Sequence, residues 1–122
     1  MSEPLVPAEA TGGRFFVDIG HATAASVSPL HVHDVTDEFV FVLEGSLRIT
    51  VDDVVHELGV EESVFLPRGV PHRFETLGPA RWLIVGPGAY QAERERILDG
   101  LASGRSGREV YETLAGLRFV AD

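Results

Sequence analysis

His31, His33 and His72 supply three imidazoles, and Glu38 supplies a carboxylate five residues after the second of them. Neutral imidazole is the commonest metal ligand in proteins, and a carboxylate offsets part of an ion's charge. Side chains alternate faces along a strand, so His31 and His33 point the same way. Glu38 falls on the opposite parity. For it to join them, residues 34–37 must break the alternation with a turn or a bulge. From Glu38 onward Val40 and Val42 share its face, while Phe74 and Thr76 share the face of His72. These four are the candidate pocket wall. Asp34 and Asp37 are candidates to accept a ring N–H from a ligating imidazole. His21 reads as a loop residue. His56, in phase with Val54 and Leu58, reads as a partly buried histidine rather than a further ligand.

The elements that must position these residues are short. Residues 14–19 and 25–33 read as extended, the second kept non-helical by Pro29. Residues 38–43 are apolar on both faces, as a strand inside a sandwich would be. Leu47, Ile49 and Val51 alternate with Arg48 and Thr50, and Asp52-Asp53 turns the chain into residues 54–58. Further strands follow at 63–66, 72–77 and 81–85, with Pro67 and Pro71 fixing the approach to His72. Short strands at regular spacing imply an all-β sandwich or barrel. After Gly86-Pro87-Gly88 the period changes. Tyr90, Ile97, Leu98 and Leu101 fall on one helical face, Ser106-x-x-Glu109 has the form of a capping box, and Val110, Leu114 and Leu117 recur at helical spacing. Two short C-terminal helices are therefore expected.

The run His31-x-His33, four residues, Glu38, six residues, Gly45 resembles the first motif of the cupin superfamily. The run Pro67-x-Gly69, two residues, His72 resembles the second. Three turn and structural positions depart from the pattern: Ala25 and Glu61 stand where the motifs begin with Gly, and Thr76 stands where the second ends with Asn. All four ligand positions are filled. The resemblance implies a small single-domain cupin, similar to quercetin-dioxygenase-like members. Its expected fold is an all-β double-stranded β-helix, or jelly-roll barrel, with two short C-terminal helices. The expected organisation is an N-terminal arm (1–13), a barrel (14–88) and a helical extension of the same domain (89–122). The resemblance also implies one divalent transition metal ion per chain, held by His31, His33, Glu38 and His72. A three-His, one-Glu set suits Fe, Mn, Ni, Co, Cu or Zn. Four protein ligands on an octahedral ion leave coordination positions open, which distinguishes a catalytic site from a sealed structural one.

The expected function is a metal-dependent, dioxygenase-type oxidoreductase or related enzyme acting on a small organic molecule, with Glu38 as both ligand and catalytic base. The alternative is a non-enzymatic barrel that holds metal and a small ligand as a sensor or storage module. No Lys or Tyr on the pocket strands offers a second acid for epimerase chemistry.

Composition narrows the class. The 122 residues suit one domain with one core. There is no cysteine, which excludes disulfides and thiolate metal sites. The net charge is −9 and all 10 basic residues are Arg, without a cluster, which argues against nucleic acid and anionic membranes as partners. No apolar run approaches the ~20 residues of a membrane span, and the start has no signal-peptide pattern, so a cytoplasmic location is expected. The resemblance implies a homodimer. Residues 1–13 mix Leu5 and Val6 with Pro4 and Pro7, and read as a tail or as an arm exchanged onto a partner's sheet edge.

Overall fold

A computed structural model describes residues 3–122. Ten strands run in chain order: β1 (Phe15–Ala22), β2 (Ser26–Val27), β3 (Leu30–His33), β4 (Glu38–Glu44), β5 (Leu47–Val51), β6 (Val54–Leu58), β7 (Ser63–Leu66), β8 (His72–Thr76), β9 (Ala80–Pro87) and β10 (Leu117–Ala121). Two helices, α1 (Gly88–Ala102) and α2 (Gly107–Thr113), separate β9 from β10. One sheet has the order β1-β9-β4-β7. The other runs β10-β3-β8-β5-β6, with β2 also pairing β8, and the strand pairings of both are antiparallel. The fold is the jelly-roll barrel expected, with short C-terminal helices.

The core follows from alternation. Val40, Val42, Leu47, Ile49, Leu58, Val64, Leu66 and Ala80 point inward and fill one part of the barrel, and Val51, Phe74 and Trp82 pack against them. Truncating such side chains typically costs about 2–5 kcal/mol.

Two sharp corners carry the barrel around. Gly45 joins β4 to β5 at φ +76, where a side chain would collide with the Pro79 carbonyl. Glu61, between β6 and β7, adopts φ +68 although it is not glycine. Its amide still donates to the Val42 carbonyl at 2.9 Å. A left-handed non-glycine residue costs about 1–2 kcal/mol. Its side chain is exposed. We therefore expect Glu61→Gly to raise the unfolding free energy by about 1 kcal/mol, net of the added freedom of the unfolded chain, in urea titration.

Three expectations change. The run Val110, Leu114, Leu117 does not continue one helix. Ser106 caps α2 through its hydroxyl (Glu109 N to Ser106 Oγ, 3.1 Å), as its motif implied, but the helix ends at Thr113. β10 then joins β3, placing Leu117 opposite His33 and Phe119 opposite His31. Apolar residues three and four apart fit a helix, but here the spacing spans a helix end and a strand start. The arm, whose residues 1–2 lie outside the described residues, folds back onto its own chain: Val6 bridges Val17 on edge strand β1, and Ala8 N donates to Gln91 Oε1 at 2.7 Å. His21 lies within β1, exposed, not in a loop.

Candidate functional site

β3 and β8 are hydrogen-bonded neighbours, and their register sets His31 directly opposite His72. His33 follows two residues on, facing inward with them. The imidazoles of His31, His33 and His72 each offer a ring nitrogen, and these atoms lie within 4.8 Å of one another, all three side chains being buried. Glu38 reaches the same interior by the break the parity argument required. The chain leaves the six-stranded sheet at His33, turns through residues 34–37 and enters the four-stranded sheet at Glu38. Its carboxylate lines the same cavity, but it is not among the mutually close ligand atoms.

The rings are oriented from behind. His31 Nδ1 donates to the Pro29 carbonyl at 2.7 Å, and His33 Nδ1 donates to Glu93 Oε1 at 2.6 Å. These bonds occupy Nδ1 and leave Nε2 of both rings without a part in them. Tyr111 stacks on His31 with ring centroids 3.9 Å apart, and Tyr90 stands edge-on to His33 at 5.5 Å. Burial, followed by the neighbouring His33, pushes the pKa of His31 down to about 3. Burial, followed by His31 and His33, pushes that of His72 down to about 2. Both are therefore neutral, lone-pair-bearing donors at physiological pH. Burial raises Glu38 above the ordinary carboxylate range, against the opposing pull of His33, Tyr90 and Arg94. Burial and the facing Glu38 raise Tyr90, and burial raises Tyr111, well above the usual phenol range.

The imidazoles and Glu38 open into a cavity of about 370 Å³. Its walls include Phe74, Trp82, Ile84, Tyr90 and Tyr111, so helices α1 and α2 contribute to its lining. Of the four expected wall residues, Phe74 and Thr76 line it. The Phe74 ring lies 5.0 Å from that of Trp82. The Thr76 hydroxyl donates to the Ala24 carbonyl at 3.0 Å and pairs with Ser26 Oγ at 2.8 Å, bracing the wall where the motif has Asn. Val40 and Val42 do not line it. They share the inward face as expected, but are fully enclosed by core side chains, while their cross-strand partners Ile84 and Trp82 on β9 line the cavity in their place.

Asp34 and Asp37 do not touch an imidazole. Asp34 pairs with Arg118 at 2.8 Å, and Asp37 takes the Arg68 amide at 2.9 Å and its guanidinium at 3.1 Å. The carboxylate that holds His33 is Glu93, on α1, which also accepts from Thr36 Oγ1 at 2.8 Å. Glu93 lies on the buried face with Tyr90, Ile97 and Gly100, whereas Leu98 and Leu101 are partly exposed.

The family of cupin domains matches residues 21–86 of this chain. The chain belongs to the cupin family. This cupin is 30% identical over 81 residues to SchB of Streptomyces halstedii, spanning 66% of this chain and 59% of that protein. It is 38% identical over 74 residues to the tetracenomycin polyketide synthase protein TcmJ of Streptomyces glaucescens, spanning 59% of this chain and 48% of that one. It thus spans about half to three-fifths of the length of these relatives. Among solved structures, it resembles the polyketide cyclase RemF from Streptomyces resistomycificus at 31% identity and a TM-score of 0.59, over 70% of this cupin and 63% of that chain.

Proposed function

We propose that this cupin binds one divalent transition metal ion through His31, His33 and His72 and catalyses ring closure of a small, aromatic or polycarbonyl substrate, as a polyketide-cyclase-type enzyme. The observation that carries it is the convergence of three buried imidazoles and a buried carboxylate on one aromatic-walled cavity. The donor set fits a metal. With Nδ1 of His31 and His33 committed to Pro29 and Glu93, their Nε2 atoms are free to bind. When bound, such an ion supplies Lewis-acid polarisation of a ketone or enolate oxygen.

The chain's own residues supply the rest. Glu38 is desolvated and more basic than an ordinary carboxylate, so it suits removal of a proton from carbon between two carbonyls. Tyr90 faces it and favours its charged form. The aromatic wall holds a flat substrate and limits water, which favours condensation over hydrolysis. Relatives described as a polyketide cyclase and a polyketide synthase protein favour cyclisation over the dioxygenase chemistry expected from the motifs. The test is anaerobic turnover of metal-loaded protein with an aryl poly-β-ketone surrogate. Ring closure with loss of water and no oxygen uptake is expected. Oxygen-dependent cleavage would return the dioxygenase reading. Binding without turnover would return the sensor or storage reading.

We also propose that the protein is a homodimer. On the outer face of the four-stranded sheet, the register sets Val17, Val85, Phe39 and Phe65 in one row, with Ile19, Leu83 and Phe41 in the next. These side chains are partly or largely exposed. A second copy would supply the same flat apolar face across a two-fold axis, so the two sheets would pack face to face. Because the arm lies on its own β1, arm exchange is not needed. Phe41→Glu would place an unpaired charge in this contact. Light scattering at micromolar concentration should show a dimer for the natural protein and a monomer for the variant. A dimer that survives would exclude this face.

A further inference from the structure

Glu93 is a carboxylate only 2% exposed, placed on a helix outside both sheets, and neither motif includes it. Burying a carboxylate is costly unless it is paired and hydrogen-bonded. It accepts hydrogen bonds from the segment that carries the site: His33 Nδ1 at 2.6 Å and Thr36 Oγ1 at 2.8 Å, both to Oε1. Its other oxygen, Oε2, lies 3.0 Å from where a β-carbon on Gly116 would sit, so the turn into β10 leaves room for this carboxylate. Glu93 therefore sits where α1, the end of β3, the β3–β4 turn and the start of β10 meet.

We propose that Glu93 is the positioning residue for His33. It fixes the imidazole as the Nδ1–H tautomer, sets the ring plane, and so turns Nε2 toward the point on which His31 and His72 converge. The consequence for metal rests on the metal reading above, whereas the tautomer is a property of the metal-free protein. A carboxylate is the strongest acceptor the chain can offer to a ring N–H, and the 2.6 Å separation is at the short end for such bonds. The other ordered imidazole of β3, His31, uses a backbone carbonyl for the same purpose. His33 lies at the end of its strand, beside the turn, and its Nδ1 pairs with a side chain instead of a backbone carbonyl. Thr36 holds the same oxygen in place through its hydroxyl. Glu93 thereby ties α1, which lines the cavity through Tyr90, Arg94 and Ile97, to the geometry of one ligand.

The test uses the whole chain. Nitrogen-15 imidazole spectra of the metal-free protein read the His33 tautomer directly, and Co(II) titration reads the consequence. The natural protein should show His33 as Nδ1–H. Glu93→Ala should show a tautomer mixture and bind Co(II) about 10- to 100-fold more weakly, the usual cost of removing such a partner. Glu93→Gln keeps an acceptor oxygen. It should preserve the Nδ1–H tautomer, shift that proton upfield as the bond loses its charge assistance, and recover most of the Co(II) affinity. Should Glu93→Ala not fold, the Gln spectra decide. An unchanged Nδ1 proton shift in Glu93→Gln, or an unchanged tautomer in Glu93→Ala, overturns the role. Absence of Co(II) binding by the natural protein defeats the metal reading instead, and the tautomer spectra still decide for or against Glu93.

Discussion

Replacing His31 and His72 together by Ala should abolish metal uptake. The natural protein is expected to take up about one divalent transition metal ion per chain, because one set of converging imidazoles is present among the described residues. The two residues face one another across the β3–β8 pair, so the double variant removes two of three donors from one point. A single His33 cannot retain an ion against water at micromolar concentration. Loss of the ion should be complete by titration with Co(II), while far-ultraviolet circular dichroism is retained. Retention of full stoichiometry by the double variant would place the metal elsewhere and remove these residues from the account.

The metal-free protein should lose stability as pH falls below about 6.5. His31 and His72 are neutral in the fold, with pKa values pushed down to about 3 and about 2, whereas in the unfolded chain each titrates near the ordinary value of 6.5. Between these limits the unfolded state binds more protons than the folded one. Stability from this source is therefore fully present above pH 6.5 and is lost as pH drops toward 3. Each such imidazole contributes a slope of about 1.4 kcal/mol per pH unit within the window. Glu38 acts in the opposite sense. Its raised folded pKa makes the folded state bind the extra proton between the ordinary carboxylate value and that raised value, so within that window it offsets part of the loss. Urea midpoints measured from pH 7.5 to 4.5 should be flat at first and then fall steeply. His72→Gln, which removes one titrating group, should flatten the fall. Stability that stays level through pH 5 would mean that the imidazoles are not held neutral by burial.

Much of the barrel is legible because its strands announce themselves by alternation. Leu47, Ile49 and Val51 on β5 point one way and their neighbours the other, and the structure agrees. The three histidines are legible because strand parity aligns His31 with His33, and a fixed motif spacing brings His72 opposite. Which inward side chains reach the cavity is another matter. Parity sends Val40 and Val42 inward correctly, but does not say that core side chains enclose them while Ile84 and Trp82, their partners on β9, reach the cavity. Glu93 was hidden for a different reason. A glutamate amid Arg94, Glu95 and Arg96 looks like part of a solvated helix face, and only the docking of α1 onto the mouth of the barrel turns it inward. β10 was hidden because Leu117 continues a helical rhythm, while the pairing that makes it a strand is with β3, more than eighty residues earlier in the chain.

Anomalous diffraction at the cobalt edge from crystals of Co(II)-loaded protein tests the central claim most directly. A single strong peak within about 2.0–2.2 Å of ring nitrogens of His31, His33 and His72 is predicted. Its distance from the Glu38 carboxylate will separate a fourth ligand from a free base. A peak remote from these rings, or none in the cavity they line, would contradict the account.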